Sequence, residues 1–276
     1  MKVSIIAAVY KDVRALELII DAMRRQTYKN FELVVAEDGD DPAIRECVAK
    51  VKDINILHTS QEDLGIRKSR SQNNAIIAST GTYLIFIDGD CIPYSNFIEG
   101  HIKLSQKDAV VAGRRVNLGQ GYSSKLRSGE ISPMHLEKSF LRHIPSLHKD
   151  GATHIEQGVA LDRSGFMYNR LLCRFKRNTD LIGCNFSCYK RDILSINGFD
   201  ESYPGTSLAD DTDIQWRFVG NGLKLISGHN IANMFHLYHT RENRIVADDH
   251  LVAMNNKMND RRKNKIFRCE EGISSH

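Results

Sequence analysis

Short β-branched runs alternate with segments of helical spacing through the first third of the chain, and this alternation restricts the fold more than any other feature. The runs predict buried strands at residues 3–9, 31–36, 54–58 and 83–87. Between them, apolar side chains recur at helical intervals over residues 13–26, 42–50 and 66–79. This order predicts an α/β fold with a mostly parallel central sheet flanked by helices.

Acidic residues follow three of the predicted strands. Asp12 comes after the first strand, the segment 37–41 after the second, and Asp88-Gly89-Asp90 after the fourth. Ligands of open α/β sheets bind at the carboxyl ends of the strands. The sequence therefore predicts a ligand site built around these acids.

Composition and charge restrict the partners and the compartment. The 276 residues carry a net charge of +4, which is too small to indicate nucleic-acid binding but suits an anionic ligand. The six cysteines form no CxxC pair, and the opening apolar run is too short for a signal peptide. No apolar run approaches the ~20 residues of a membrane-spanning helix. We expect reduced thiols and a cytoplasmic protein.

Asp88-Gly89-Asp90 has the chemistry of a metal and diphosphate site. Mn²⁺ and Mg²⁺ prefer oxygen ligands and often combine one or two carboxylates with substrate phosphates. Gly89 lets the backbone turn closely around a ligand. The alternative is an ordinary Asp-Gly turn with solvated acids, although its place after a strand favours the functional interpretation.

Two later motifs offer further site residues. Residues 210–213 place three acids at the start of a predicted helix over 210–219, where helix capping competes with a role as catalytic base. His236 and His239 follow a predicted strand, and imidazole is a good ligand for Mn²⁺. A structural role is the alternative for each histidine.

Polar residues near the other strand ends suggest how a nucleotide would bind. Arg67 and Lys68 begin the helix before the fourth strand, where a cation can face phosphate. Asp38 can accept the N–H of uracil, and Tyr10 can stack on the base. Ordinary surface charge, a turn acid and a half-buried aromatic are the alternatives.

The middle and the end of the chain are basic. Residues 113–180 are weakly periodic, which suits either a solvated helical excursion or a lid that binds an acceptor. The tail combines several Lys and Arg with Met254, Met258, Ile266 and Phe267. One hypothesis is that it docks on anionic lipid, and the alternative is a solvated helix.

The first half resembles a family 2 glycosyltransferase of the GT-A fold. The resemblance rests on residues 3–10, 26–33, 37–39, 61–67 and 73–76 and above all on 81–93, which contain Asp88-Gly89-Asp90. It implies a nucleotide-sugar donor held by a defined set of residues, with Asp90 the direct metal ligand and Asp88 facing the donor ribose or sugar. The implied donor-binding residues are Ala8, Tyr10, Asp38, Arg67, Asn73, Asp88, Gly89 and Asp90.

The second half resembles the C-terminal segment of chondroitin-polymerase-type and β-1,4-galactosyltransferase enzymes. Residues 183–187, 197–201, 205–217 and 239–241 carry this resemblance. It implies that Asp211 is the catalytic base, that Asn185 and Asp210 bind the acceptor, and that His239 and His236 join Asp90 at Mn²⁺ or Mg²⁺.

Together these resemblances imply an inverting transfer. The implied donor is a UDP-sugar, and the implied acceptor is a hydroxyl of a glycan or lipid-linked saccharide in the synthesis of cell-surface polysaccharide or lipopolysaccharide. We expect one catalytic domain over residues 1–245, with a donor half at 1–113, an excursion at 114–180 and an acceptor half at 181–245. Residues 246–276 form the predicted basic tail. There are two alternatives. One is a sugar-1-phosphate nucleotidyltransferase, although this sequence has no glycine-rich basic loop of the kind that such an enzyme needs after its first strand. The other is a non-catalytic nucleotide-sugar-binding module.

Overall fold

A computed structural model of the chain describes residues 1–161, 179–203, 211–240 and 248–276, with side chains omitted for 248–251. Its main sheet has seven strands in the order β3-β2-β1-β4-β8-β6-β9, and a smaller sheet has the order β5-β10-β7. The strands are β1 Val3–Val9, β2 Phe31–Glu37, β3 Ile56–Thr59, β4 Tyr83–Asp88, β5 Cys91–Pro93, β6 Ala109–Ala112, β7 Val116–Asn117, β8 Asn185–Tyr189, β9 Lys224–Ser227 and β10 Met234–His236.

Helices connect these strands and cover both faces of the main sheet. They are α1 Val13–Arg24, α2 Pro42–Ala49, α3 Lys68–Ala78, α4 Phe97–Leu104, α5 Gln120–Ser128, α6 Pro133–Lys138, α7 Phe140–Lys149, α8 Lys190–Ser195, α9 Asp213–Gly220 and α10 Asp248–Asn264. One apolar layer packs α1 and α2 against the sheet, and a second packs α3, α8 and α9 against its other face.

The predicted α/β architecture is confirmed. Strand β1 lies between β2 and β4 and is parallel to both, while β3 is parallel to β2. Only β8 among the seven strands runs against its neighbours β4 and β6. The carboxyl ends of β1, β2 and β4 therefore meet at one edge of the sheet, as the acidic residues after them predicted.

The later elements differ from the prediction at their ends. The apolar run at 181–187 is typical of a strand, but β8 begins only at Asn185, because the segment before it makes a turn in which the Asn185 N–H donates to the Ile182 carbonyl at 3.0 Å. The run at 231–235 also resembles a strand, but β10 begins only at Met234, because Ile231 and Ala232 close turns onto Gly228. The short strands β5, β6 and β7 were not predicted, because two to four residues give too short a pattern.

The helical excursion predicted within residues 114–180 is confirmed for α5, α6 and α7, and residues 162–178 lie outside the described part. These helices are not simply solvated. Leu126, Leu136, Phe140 and Leu147 are buried with Tyr94 and Phe235 against the smaller sheet. The excursion therefore supports the segment that carries His236 and His239.

The predicted basic tail packs onto the rest of the chain, and this packing covers most of the apolar side chains named in the lipid-docking hypothesis. Met254 and Met258 are buried with Tyr203, and the Phe267 ring centre lies 5.1 Å from that of Trp216. Of the four apolar side chains in that hypothesis, only Ile266 is exposed, at 39%. Among the described residues, no helix is long and apolar enough to span a bilayer.

Buried Glu32 joins β1, β2 and the turn before β4. Its carboxylate accepts hydrogen bonds from the Ser4 hydroxyl at 2.6 Å and the Thr80 N–H at 2.7 Å, and Lys2 Nζ lies 3.0 Å away. Burial raises the pKa of Glu32, but these partners outweigh it and lower the pKa from 4.5 to about 2. The charged form is thus the stabilising one.

Replacing Glu32 with glutamine should lower the free energy of unfolding by about 1–3 kcal/mol, because Lys2 and the hydrogen-bond donors around the carboxylate lose their charged partner. Because the folded pKa lies below the unfolded one, the contribution of Glu32 is present above pH 4.5 and is lost as the pH falls towards 2. Urea unfolding of Glu32→Gln between pH 7 and pH 3 measures both effects. The exposed Glu130→Gln is the control, and equal stability of the two variants at pH 7 would contradict the prediction.

Candidate active site

Asp90, His236 and His239 converge at the carboxyl edge of the main sheet. Nε2 of each histidine lies 3.3 Å from Asp90 Oδ2, and the ligand atoms of all three residues lie within 4.8 Å of one another. Their side chains remain partly exposed, at 24% for Asp90, 12% for His236 and 34% for His239. The three predicted metal residues are therefore brought together with one side open.

The smaller sheet creates this convergence. Strand β10 is antiparallel to β5, and its register places His236 opposite Cys91, the residue after Asp90. The Leu237 N–H then donates to the Asp90 carbonyl at 2.9 Å, which extends the pairing by one residue. A backbone ladder thus fixes the approach of residues that are far apart in sequence.

The electrostatics of the cluster keep Asp90 ionised. Burial raises the pKa of Asp90, but the His236 hydrogen bond and the charges of His236, His239 and Arg115 lower it to about 2. One carboxylate and two imidazoles at this spacing are a suitable donor set for a first-row divalent cation, and the imidazoles favour Mn²⁺ over Mg²⁺. The residues therefore fit the expected metal.

Asp88 and Gly89 lie at the end of β4, beside β1. Asp88 is paired in register with Ala8, and its Oδ1 lies 2.6 Å from Lys68 Nζ. A Cβ on Gly89 would stand 2.7 Å from the Ala8 carbonyl oxygen and 3.1 Å from Val9 Cα, so only glycine fits this close approach. Lys68 and Asp88 thus form a charged pair next to the Asp90 cluster.

Tyr10 and Asp38 follow β1 and β2 as predicted. The Tyr10 side chain is 52% exposed, and Lys11 Nζ lies over its ring at 4.7 Å from the ring centre. Asp38 is buried, and its two oxygens accept from Gln61 Nε2 and from the Arg67 N–H, each at 2.7 Å. Asp38 therefore also fixes the loop that leads to Arg67 and α3.

The structure places two predicted contact residues in the interior. Asn73 is fully buried, donates to the Phe199 carbonyl at 2.9 Å and accepts from the Phe199 N–H at 2.9 Å. Asn185 is also fully buried and donates to the carbonyls of Arg114 and Ala232 at 2.7 and 3.0 Å. Both amides therefore satisfy buried backbone groups in this conformation, and their roles at a donor or acceptor stay predictions.

Asp211 lies near the charged pair of Lys68 and Asp88. Burial is the largest effect on the pKa of Asp211 and raises it, and the charge of Asp88 raises it further. Hydrogen bonds from Thr212 and the charge of Lys68 lower the pKa, but the net shift is upward. Thr212 donates to Asp211 Oδ1 through both its N–H and its hydroxyl. Asp211 therefore has a carboxylate with raised basicity, whereas Asp210 lies outside the described residues.

Two cationic residues near the site, Arg115 and Arg127, lie in a part of the sequence where no motif was recognised. Arg115 donates to Cys184 Sγ at 2.7 Å, and its charge interacts with those of Asp88 and Asp90. It follows the short apolar run of β6, and that position at a strand end is the signal that would have identified it. Arg127 on α5 forms a two-pronged ion pair with Asp12 at 2.8 and 2.6 Å.

Solved glycosyltransferases share this fold. The chain superposes on a mannosyltransferase, PcManGT, from Pyrobaculum calidifontis in complex with GDP-Man and Mn²⁺, with a TM-score of 0.56, 15% identity and coverage of 87% of this chain and 58% of that one. It also superposes on residues 1–349 of S. aureus TarS in complex with UDP, with a TM-score of 0.60, 14% identity and coverage of 100% and 68%. The fold is therefore that of GT-A enzymes.

Sequence relatives agree with this fold. Validoxylamine A glucosyltransferase from Streptomyces hygroscopicus subsp. jinggangensis is 23% identical over 230 residues, which cover 80% of this chain and 52% of that protein. The matches to three further curated glycosyltransferases, two from Rickettsia and one from Streptococcus pneumoniae, span 14% to 22% of the lengths of those proteins. The sequence pattern described as glycosyl transferase family 2 matches residues 4–194, more than half of the chain. The chain therefore belongs to glycosyl transferase family 2.

Proposed function

We propose that this chain is a metal-dependent, inverting glycosyltransferase that transfers a sugar from a UDP-sugar to a hydroxyl of a glycan or lipid-linked saccharide. The observation that carries the proposal is the convergence of Asp90, His236 and His239 beside the Lys68–Asp88 pair and Asp211. A metal-binding cluster, a phosphate-facing cation and a basic carboxylate are the groups that such a transfer needs.

The donor would lie along the carboxyl edge of the sheet. Tyr10 offers an exposed ring for the nucleobase, and Asp38 holds the loop beneath it. Asp90, His236 and His239 would hold Mn²⁺ at the diphosphate, where the cation neutralises charge on the leaving nucleoside diphosphate. Asp88 would face the ribose or the sugar, with Lys68 beside it.

Asp211 would accept the proton of the acceptor hydroxyl while that oxygen attacks the anomeric carbon. A single displacement of this kind forms the new C–O bond as the bond to the diphosphate breaks, so the anomeric configuration inverts. The raised pKa of Asp211 brings its basicity closer to that required at neutral pH. No covalent enzyme–sugar intermediate is needed.

The donor set by itself also suits other chemistry. Two histidines and one carboxylate hold Fe(II) in some oxygenases, and related sheets serve sugar-1-phosphate nucleotidyltransferases. Membership of glycosyl transferase family 2 argues against both. A non-catalytic nucleotide-sugar-binding module would not need a base of raised pKa, so Asp211 favours turnover.

A donor screen tests the proposal. Purified protein is incubated with Mn²⁺ and each of a set of UDP-sugars and GDP-mannose, with and without a chelator, and released nucleoside diphosphate is measured. We expect release from at least one UDP-sugar, loss of release with the chelator, and recovery when excess Mn²⁺ is added. Absence of metal-dependent release from every donor would refute the proposed function, and release from GDP-mannose alone would correct the nucleobase.

The acidic limb of the pH profile of kcat/KM should follow the ionisation of Asp211. The base acts when ionised, so kcat/KM should fall as the pH drops through its pKa, which burial places above the ordinary 3.8. Lys68→Met should move this limb to higher pH, because Lys68 lowers the pKa of Asp211 and also balances the charge of Asp88. Lys50→Met, which removes an exposed cation on α2, is the control. Superimposable profiles for wild type and Lys68→Met would contradict the prediction.

A further inference from the structure

An open groove of about 400 Å³ runs along one face of α9 and is not used by the residues assigned above. Helix α9 and the residue before it contribute Thr212, Gln215, Trp216 and Val219, while Asp180 and Arg262 line its sides. We call this the α9 groove. Its volume falls within the range of ligand pockets, ~300–1,000 Å³.

The α9 groove begins beside the proposed base. Thr212, at one end, donates two hydrogen bonds to Asp211. Residues 212 and 219 are seven positions apart on one helical face, so the groove extends for roughly 10 Å. A chain molecule whose reacting hydroxyl lies at Asp211 would therefore continue along this face.

The lining combines an aromatic surface with polar groups. Trp216 is half-buried, and Val219 beside it is 48% exposed. The Arg262 guanidinium lies 5.9 Å from the Trp216 ring. Gln215 Nε2 reaches Asp180 Oδ1 only at 3.3 Å.

This pattern matches the chemistry of a sugar ring. A pyranose has an apolar C–H face that packs against an aromatic ring and a rim of hydroxyls that both donate and accept hydrogen bonds. Arg262 can donate to such a hydroxyl, and the Asp180 carboxylate can accept from one.

We infer that the α9 groove binds a sugar unit of a saccharide acceptor, one or two units away from the sugar whose hydroxyl reacts. The inference rests on the proposed function, because it places the reacting hydroxyl at Asp211. It makes the acceptor an oligosaccharide or a longer glycan rather than a monosaccharide, with Trp216 as its main contact.

The chain provides its own probe, because Trp216 is its single tryptophan. Intrinsic fluorescence is titrated with gluco-, galacto- and N-acetylglucosamine oligosaccharides of one to four units, with UDP and Mn²⁺ present. We expect the emission to change with at least one series from the disaccharide upwards and to change little with the monosaccharides. Arg262→Ala should weaken this binding by about tenfold, because it removes a charged hydrogen-bond donor.

Calorimetry with the same saccharides separates binding from folding. Trp216→Ala should weaken binding by at least about tenfold and Trp216→Phe by less, because phenylalanine keeps an aromatic face. Leu141→Ala, which truncates a side chain on α7 that is 67% exposed, is the control. Thermal unfolding of each variant identifies any loss that comes from the Trp216 contact with Phe267.

The outcomes are distinct from those of the donor screen. No fluorescence response to any oligosaccharide, or equal affinities of wild type and Trp216→Ala, would overturn the α9 groove as a saccharide site even if donor release is normal. Oligosaccharide binding without any metal-dependent donor release would instead refute the proposed function and leave the groove assignment in place.

Discussion

Replacing Asp211 with asparagine is expected to lower the rate of sugar transfer by about 10²–10⁴-fold, the usual contribution of a general base. Asparagine keeps the size of the side chain and can still accept from Thr212, but it cannot take a proton from the acceptor hydroxyl. Nucleoside diphosphate affinity should change little, because Asp211 is assigned to the acceptor side of the site. The loss should therefore appear in kcat rather than in donor binding.

The measurement is steady-state transfer to a saccharide acceptor, together with calorimetric titration of UDP in the presence of Mn²⁺. Asp260→Asn on α10 is a matched control, because it removes one carboxylate from the surface of the same chain. Wild-type turnover by Asp211→Asn would refute the assignment of the base. Weakened UDP binding without a change in kcat would place Asp211 on the donor side instead.

Replacing Asp90 with asparagine should remove Mn²⁺ binding and metal-supported turnover. The change deletes the one anionic ligand and leaves two neutral imidazoles. Loss of outer-shell partners already weakens metal sites by about 10–100-fold, so the loss of this direct ligand should exceed roughly 100-fold. Turnover should fall by about 10³-fold, since Lewis-acid stabilisation of a leaving phosphate is worth several kcal/mol.

Electron paramagnetic resonance of free and bound Mn²⁺ measures the affinity without any turnover. His239→Ala should weaken Mn²⁺ binding in the same assay, whereas His148→Ala, an exposed histidine on α7, should not. Mn²⁺ should support faster turnover than Mg²⁺, because Mg²⁺ binds imidazole poorly. Equal Mn²⁺ affinity of wild type and Asp90→Asn would exclude Asp90 as a ligand.

The two predictions test parts of the site that the fold positions differently. Asp90 is held by the pairing of β5 with β10, so its geometry depends on a backbone ladder. Asp211 lies just before α9, whose Asp213 and Arg217 form a fully buried ion pair at 2.6 Å. That pair anchors the helix to the carbonyls of Ile196 and Gly198, at 2.9 and 2.8 Å from Arg217 Nη1. The positions of the base and of the metal cluster therefore depend on different parts of the fold.

Strands β1, β2 and β4 were predictable because each is buried on both faces. Strands of this kind appear as short β-branched runs, and these three were predicted to within one residue of their ends. Helices α1 and α2 show a 3.6-residue apolar period because only one face of each packs against the sheet. Helix capping also depends on residues that are close in sequence. At α2, the Asp41 carboxylate accepts from the Ala43 N–H at 2.8 Å.

The two asparagines show what such reasoning leaves open. Asn73 and Asn185 were predicted to bind ligands because they belong to recognised segments near the site. A linear pattern does not reveal which way a side chain points once the elements pack, and both amides satisfy buried backbone groups. Buried polar groups need such partners, and an amide that both donates and accepts is a suitable one.

By itself, the sequence determined the α/β order and the acids at the strand ends, and through resemblance it predicted which residues would serve as metal ligands and base. Only the tertiary structure decided that His236 and His239 lie against Asp90, that Arg115 faces the same carboxylates, and that the tail packs on Tyr203 and Trp216. The physical reason is the separation in sequence between the residues that interact. Strand and helix patterns depend on neighbours a few residues apart, whereas these contacts depend on how separate elements pack across the whole chain.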